Sequence, residues 1–493
     1  AADGAMFEVF NPLDDSHYAF AAKGTTEDIF NAVAAAKAAF TSYKETTPTE
    51  RERWLLRVAE IMEARQKDLV NCLIDEIGSP VQKAMFEFTK GLTMIRAAAG
   101  LCRNVRGETI PSDRPGTFSM SIREPLGVVA VITPFNVPLI KTTRLVANAL
   151  AVGNTVVHLP SEMAPNLSLI FAEIVEEAGI PDGVYNVVTG MGAEIGDDLT
   201  GHKDIGFLTF TGSTFVGQHI SEICAKNKTP STLELGGKSP VIVSNTAESV
   251  TAAKRIMLGK TMNAGQICLA PDYVMVHSDK KDELVAEMKS AVTSFYPDLK
   301  HNDDYTSIIN EKHYDRLQGL LQDAKEKGAT IDEINPANED FSQQEAFKIP
   351  PTLVMNPSDD MEIMQEEIFG PLLPIKEFSD INETISYVNK NDKPLGLYYF
   401  GSDQSEENHV LNRTSSGGVT VNDVLGHIQQ EDIPFGGVGP SGTGSYHGEE
   451  GFKNFSNPRA VYKQIGSRFD KLIAAIRPPY TGDIEKILKQ IAK

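Results

Sequence analysis

One cysteine is set unlike a core residue. In the run NAGQICLAP, at 263–271, Cys268 comes shortly after Gly265 and sits among residues that break simple periodicity. A thiol is mostly protonated near neutrality. As a nucleophile it needs a site that favours the thiolate, such as the backbone N–H groups of a turn or helix start. The alternative is a buried structural cysteine. Glu234, in STLELGGKSP, has apolar neighbours and precedes Gly236 and Gly237. A carboxylate buried at a strand end becomes a better base, although a salt-bridged turn glutamate would read the same way. Asn136, in TPFNVP, is flanked by Pro134 and Pro138 just beyond an apolar run. Its side-chain N–H could donate to a developing oxyanion, or the residue could simply serve the turn.

Two glycine clusters compete for a phosphate. TGMGAEIG places Gly190, Gly192 and Gly196 in a GxGxxxG spacing, and FTGSTFVG places Gly212 and Gly217 around Ser213. Free N–H groups at a helix start hold pyrophosphate well, but neither cluster is specific alone. No P-loop, HExxH, strict GxSxG or close cysteine pair occurs, which disfavours nucleotide hydrolases, metallohydrolases, α/β-hydrolases and zinc knuckles.

The elements that must carry these residues alternate. TPTERERW opens a helix, with Thr47 as cap, Pro48 in the first turn and Glu50 closing a capping box. LGVVAVITP is continuously apolar and β-branched, as a buried parallel strand should be. A helix over 139–150, the strand NTVVHLP, a helix over 166–178 and the strands in VYNVVTG and IGFLTFTG continue the pattern. SPVIVS, a helix from about Ala247 and DYVMVH suggest a second such unit. This predicts an α/β fold with a doubly wound sheet. FSMSIREP reads as an exposed strand or arm. PRAVYKQIG reads as a strand whose partner is that arm or another subunit.

The 493 residues suggest two or three domains. A net charge of -21 argues against nucleic acid and anionic membranes as partners. No apolar run is long enough to span a bilayer. The four cysteines, Cys72, Cys102, Cys224 and Cys268, point to a reducing cytosol and a cytoplasmic protein.

Taken together, PLGVVAVITPFNVP, NTVVHLPSE, FTGSTFVG, LELGGKSP, NAGQICLAP, EEIFGP and PFGGVGPSGTG resemble the NAD(P)-dependent aldehyde dehydrogenase superfamily, non-phosphorylating type. The 34 residues from Glu234 to Cys268 fit that family too. Features around the cysteine resemble its class-3-like branch. The resemblance implies a Rossmann-type cofactor domain (1–107 and 126–235), an α/β catalytic domain (236–435) and a return segment (436–454). It also implies bridging elements at 108–125 and 455–493. Cys268 would be the nucleophile and Glu234 the base. Asn136 and the Cys268 N–H would form the oxyanion site. Gly212 and Ser213 would hold pyrophosphate, with Gly217 closing helix packing. Glu367 would position the nicotinamide ribose, assisted by Phe369. Thr133, Phe135, His158, Glu162 and Leu235 complete the expected cofactor contacts, and no metal is implied.

This chain departs from the family twice. Leu159 replaces the usual ribose-binding lysine, with His158 beside it. Glu162 disfavours a 2′-phosphate, whereas an inward His158 would favour one, so both NAD and NADP stay open. Phe135 replaces a common tryptophan and reshapes the aldehyde tunnel. With Met262, Ile267 and Leu269 it suggests a small or aliphatic aldehyde. The family implies a homotetramer or homodimer. A coenzyme A-acylating enzyme and a non-catalytic binding relative are the alternatives.

Overall fold

The computed structural model describes residues 3–104, 107–112, 117–344 and 346–464, with a few isolated positions beyond. The chain opens with a hairpin of β1 (Met6–Asn11) and β2 (Ser16–Ala22). Four helices follow: α1 (Thr26–Tyr43), α2 (Pro48–Ala64), α3 (Gln66–Ile77) and α4 (Val81–Asn104). The start of α2 is as its sequence predicts. Thr47 accepts from the Glu50 N–H, and the Glu50 carboxylate accepts from the Thr47 N–H at 2.7 Å. Two orphan donors are satisfied reciprocally.

After β3 (Thr109–Ile110) and β4 (Thr117–Pro125), the first strand–helix alternation begins. It runs β5 (Val128–Thr133), α5 (Pro138–Val152), β6 (Thr155–Pro160), α6 (Pro165–Glu177), β7 (Tyr185–Val187), α7 (Gly192–Thr200), β8 (Ile205–Thr211), α8 (Thr214–Asn227) and β9 (Ser231–Glu234). Strands β9-β8-β5-β6-β7 are mutually parallel. Every residue of β6 is buried, as expected of a strand covered on both faces. Strand order reverses at β5, where the chain moves from β6 and β7 on one side to β8 and β9 on the other. A ligand crevice belongs outside the carboxyl ends of such strands.

The second alternation runs β10 (Pro240–Val243), α9 (Ser249–Thr261), β11 (Tyr273–His277), α10 (Lys281–Phe295), α11 (Glu311–Glu326), β12 (Thr330–Glu333), β13 (Thr352–Met355), β14 (Leu372–Phe378), β15 (Gly396–Phe400) and β16 (Gly418–Val421). It forms a seven-stranded sheet in the order β12-β13-β14-β11-β10-β15-β16. The chain then returns to the first sheet, where β17 (Gly442–Thr443) pairs antiparallel with β9. It ends its described course in β18 (Ser456–Gln464).

The partner of that last strand was open in the sequence. It is the arm: β18 pairs antiparallel with β4 from Ser456↔Pro125 to Gln464↔Thr117. The expected bridging segment beyond residue 464 lies outside the described residues, apart from isolated positions.

Helix α5 is buried along nearly its whole length, including Lys141, Thr142, Thr143 and Arg144. Charged residues are rarely buried in full unless paired. Two cations in such a helix mark a place where the interior carries charge for a reason.

Candidate active site

Helix α9 stops at Thr261, and the next turn is unusual. Asn263, Ala264 and Gly265 are consecutively left-handed, with φ of 53, 50 and 75°. For a residue with a Cβ this conformation costs about 1–2 kcal/mol. At Gly265 no side chain fits, because a Cβ would stand 2.2 Å from the Gly370 carbonyl oxygen. The Gln266 amide pins the turn. Its Nε2 donates to the carbonyls of Asn263 and Ser307, both at 3.0 Å, and its Oε1 accepts from the Ile309 N–H. The strained turn delivers Cys268, half-buried, to the end of β9.

There the Cys268 Sγ donates to Glu234 Oε1 at 3.5 Å. The Glu234 side chain is 1% exposed, and its other oxygen accepts from the Lys141 ammonium. Lys141 Nζ also donates to the Tyr446 hydroxyl at 2.6 Å and lies over the Phe435 and Tyr446 rings. Burial pushes the Cys268 thiol well above its usual range, and the Glu234 charge adds to this. The nearby Lys141 charge opposes it. The thiol is therefore protonated at rest, with a carboxylate oxygen facing its proton.

Asn136 follows β5 and is buried. One N–H of its amide donates to the Gln266 carbonyl at 3.0 Å, and its own carbonyl accepts from Lys83 Nζ at 2.7 Å. The sequence-predicted trio of Cys268, Glu234 and Asn136 lines one cavity of about 640 Å³.

The same cavity runs out along the carboxyl ends of the first sheet. Thr133, Phe135, Glu162, Gly212, Ser213, Glu367 and Phe369 line it. Ser213 caps α8, its Oγ accepting from the Val216 N–H at 3.4 Å and its carbonyl from the Gly217 N–H at 2.9 Å. Helix geometry leaves the Thr214 and Phe215 N–H groups without intrahelical acceptors. Gly217 permits close packing: a Cβ there would stand 2.2 Å from the Leu235 side chain. Across the cleft, α7 contributes Gly192, Ala193 and Gly196 as a wall.

Glu367 lies between the two sheets. A Cβ on Gly236 would be 2.0 Å from its carboxylate, so a side chain there would displace the carboxylate. Burial first, and the Asp272 charge second, push the Glu367 carboxyl up to about 8. The segment is strapped down. Lys238 Nζ pairs with Asp272 and donates to the carbonyls of Ile363 and Glu366, at 2.8 and 2.9 Å. Asp272 accepts in turn from the Ile368 N–H at 2.9 Å. Phe369 is left-handed, with φ of 48°, and meets the Phe135 ring edge-on at 6.0 Å.

Two expected cofactor contacts lie off the cleft. His158 is fully buried in β6 and holds Thr133 Oγ1 and the Tyr185 hydroxyl, each at 2.8 Å. Burial pushes its imidazole down to about 3, so it is neutral and turned away from any phosphate. Alternation along a strand explains the placement: Leu159, the next residue, faces the cleft instead. The Leu235 side chain is buried beneath Gly217, and its N–H donates to the Ser441 carbonyl at 3.0 Å.

Lys141, Tyr446, Gln266 and the Lys238–Asp272 strap join the site only in the folded chain. Only Lys141 left a signal, as a charge inside an otherwise buried helix. The others depend on contacts between segments far apart in the chain.

Among the described residues no cluster of histidine, cysteine or acidic side chains could hold a metal, and no helix is long and apolar enough to cross a membrane. The sequence profile of the aldehyde dehydrogenase family matches residues 1–461. A probable coniferyl aldehyde dehydrogenase of Caulobacter vibrioides is 42% identical over 452 residues, covering 89% of this chain and 91% of that protein. The rat (Rattus norvegicus) aldehyde dehydrogenase family 3 member A2 is 39% identical over 338 residues, covering 68% of this chain and 67% of that one. The crystal structure of betaine aldehyde dehydrogenase from Staphylococcus aureus in complex with NAD+ superimposes with a TM-score of 0.88 at 29% identity, covering 94% of this chain and 93% of that one. A thiol, a facing carboxylate, an amide donor and a long cleft at a sheet switch point thus coincide with family-wide similarity, and the chain belongs to the aldehyde dehydrogenase family, enzymes that oxidise aldehydes with a nicotinamide cofactor.

Proposed function

We propose that the protein oxidises an aldehyde to its carboxylic acid through a Cys268 thioester, which water activated by Glu234 then hydrolyses. The observation that carries this reading is the Cys268 Sγ–Glu234 Oε1 contact of 3.5 Å beside the Asn136 amide. The cleft suits a dinucleotide: a capped helix start with free N–H groups suits pyrophosphate, and Glu367 stands within reach of the reacting end. A bound nicotinamide dinucleotide supplies the hydride acceptor.

The residues act in sequence. Cys268 Sγ bonds to the aldehyde carbon as its proton passes to Glu234. Charge gathers on the carbonyl oxygen, met by the remaining Asn136 N–H and the Cys268 backbone N–H. Oxidation leaves a thioester. Glu234, its proton released, takes one from water, and the hydroxide adds to the thioester carbon. The carbon–sulfur bond breaks, the acid leaves and sulfur keeps the electron pair. Gly212 and Ser213 hold the pyrophosphate, and Glu367 and Phe369 fix the nicotinamide ribose. Thr133 and Phe135 wall the cleft.

Glu162 supports NAD over NADP, because its carboxylate lies at the expected adenosine-ribose end of the cleft and repels a 2′-phosphate. Relatives named for coniferyl aldehyde support an aromatic aldehyde alongside the small aliphatic one expected from Phe135. An aldehyde panel with NAD and with NADP, with and without coenzyme A, tests all of this. Acid formed with NAD alone, at a rate indifferent to coenzyme A, is the expected result. An acyl-coenzyme A product would overturn the hydrolytic step.

The pairing of β17 with β9 supports 436–454 as a return to the cofactor domain. The three-stranded sheet β18-β4-β3 supports assembly: Ile110 and Tyr462 stand 51% and 56% exposed on it, and open sheet edges favour pairing with another chain. A homotetramer is the proposed state, a homodimer the alternative, and light scattering decides. The four free cysteines support a cytoplasmic setting.

A further inference from the structure

The Glu234 carboxylate divides its two oxygens between two tasks. Oε1 faces the Cys268 thiol, and Oε2 faces an ammonium that is itself 1% exposed. That ammonium belongs to Lys141, which lines the reaction cavity and does not contact the sulfur among the described hydrogen bonds. Lys141 is held in turn by the Tyr446 hydroxyl and by the faces of the Phe435 and Tyr446 rings. Phe435 and Tyr446 are both 1% exposed, and their backbones pair as a β-bridge. The cation is thus fixed by buried aromatic groups as well as by the carboxylate.

A buried carboxylate without a counter-charge favours its neutral form, which is useless as a base. Free rotation would also let it leave the sulfur. We propose that Lys141 is a positioning residue for the reaction, holding the Glu234 carboxylate against Cys268 and supplying the counter-charge that keeps a buried base ionised. Tyr446 is its support. The inference rests on Glu234 being the base.

Other charged groups surround the pair. Arg144 lies one helical turn along α5, over the Tyr446 ring, and is paired with Glu431 at 3.1 Å. His447 follows Tyr446 and is held neutral by burial. Glu367 approaches from the second sheet and is neutral in large part at pH 7. The Lys141 ammonium is the cation in direct contact with the Glu234 carboxylate.

The test uses Lys141→Met, which keeps the stem and removes the charge, with two readouts. The first is the pH profile of acyl release after the burst. Its acid limb should move up by about one pH unit or more, a loss of ~10-fold at the acid end. The second needs no substrate: iodoacetamide alkylation of Cys268 at the acid end of the same pH range should slow ~10-fold, because a Glu234 that keeps its proton cannot take the thiol's. KM for aldehyde should change less than twofold. An unmoved profile and an unchanged alkylation rate would overturn the proposal, even if kcat fell. If Lys141→Met does not fold, Lys141→Arg and Tyr446→Phe carry the test. Arginine should preserve the acid limb, and the phenylalanine should shift it in the same direction by less. The opposite ranking, or no shift in either, overturns it equally. Glu234→Gln separates the two claims. If it releases acyl groups at the normal rate, the base assignment fails. If it is slow while the Lys141 variants match wild type, only this inference fails.

Discussion

The two ends of the cleft are built on different principles. At the end proposed to be catalytic the charges are buried and strapped: Glu234 on Lys141, Lys238 on Asp272, Glu367 over Gly236. The backbone there is left-handed at Asn263, Ala264 and Phe369. At the other end, α7 and α8 offer glycines, a serine cap, and side chains open to water. Phe215 is 84% exposed, and the His219–Asp197 pair has side-chain exposures of 53% and 68%. Covalent chemistry needs desolvated charges at fixed positions, which only a packed network holds. A dinucleotide brings its own charge, and helix N–H groups meet it without burial beforehand.

If this contrast is right, changes at the catalytic end cost rate and stability, and changes at the open end cost only cofactor affinity. Cys268→Ser is the largest. It should lower kcat by about 10³-fold or more while cofactor affinity, read by fluorescence titration, stays within twofold. Glu234→Gln should slow acyl release by about 100-fold, visible as a burst followed by a slow steady state. It also strands the Lys141 ammonium, so stability should fall by about 3 kcal/mol in urea denaturation. A stable variant would show that the pair is not the buried unit described above.

Glu367 sharpens the comparison through pH. Its folded carboxyl, pushed up to about 8, keeps a proton that the unfolded chain loses near pH 4.5. The folded state therefore binds more protons between about pH 5 and 8, and its stability falls as pH rises through that window. Glu367→Gln should flatten this decline in Tm against pH; an unchanged slope would place the titrating group elsewhere.

At the open end, Ser213→Ala removes a hydroxyl at the proposed pyrophosphate site, so KM for NAD should rise about fivefold with kcat unchanged, and the lost helix cap should lower stability by only about 1 kcal/mol. The smallest effect on cofactor choice belongs to His158→Ala. The imidazole is buried and neutral, so KM should change equally for NAD and NADP. A selective loss with NADP would mean the ring turns inward when the cofactor binds.

Much of this was legible in sequence for local reasons. Thr47, Pro48 and Glu50 interact within one turn, so the start of α2 could be read directly. The apolar run of β5 needs only its own composition to look like a covered strand. NAGQIC and LELGGKSP mark the thiol and the carboxylate because each motif is short and contiguous. His158 shows where local reading stops. Its type suggested a phosphate ligand, but strand alternation turned its ring into the core. Lys141 shows the converse, a charge inside a buried helix whose purpose is invisible until its partners are known.

The sequence by itself marked the groups proposed to do chemistry here: one thiol, one carboxylate, one amide and a helix start for phosphate, each carried by neighbouring residues. The tertiary structure alone decided which buried charges meet. Glu234 lies 93 residues from Lys141, and Lys141 lies 305 from Tyr446. No local rule relates such positions. They meet because α5 packs on the sheet that contains β9, and the segment that adds β17 beside β9 carries Tyr446 to the same place.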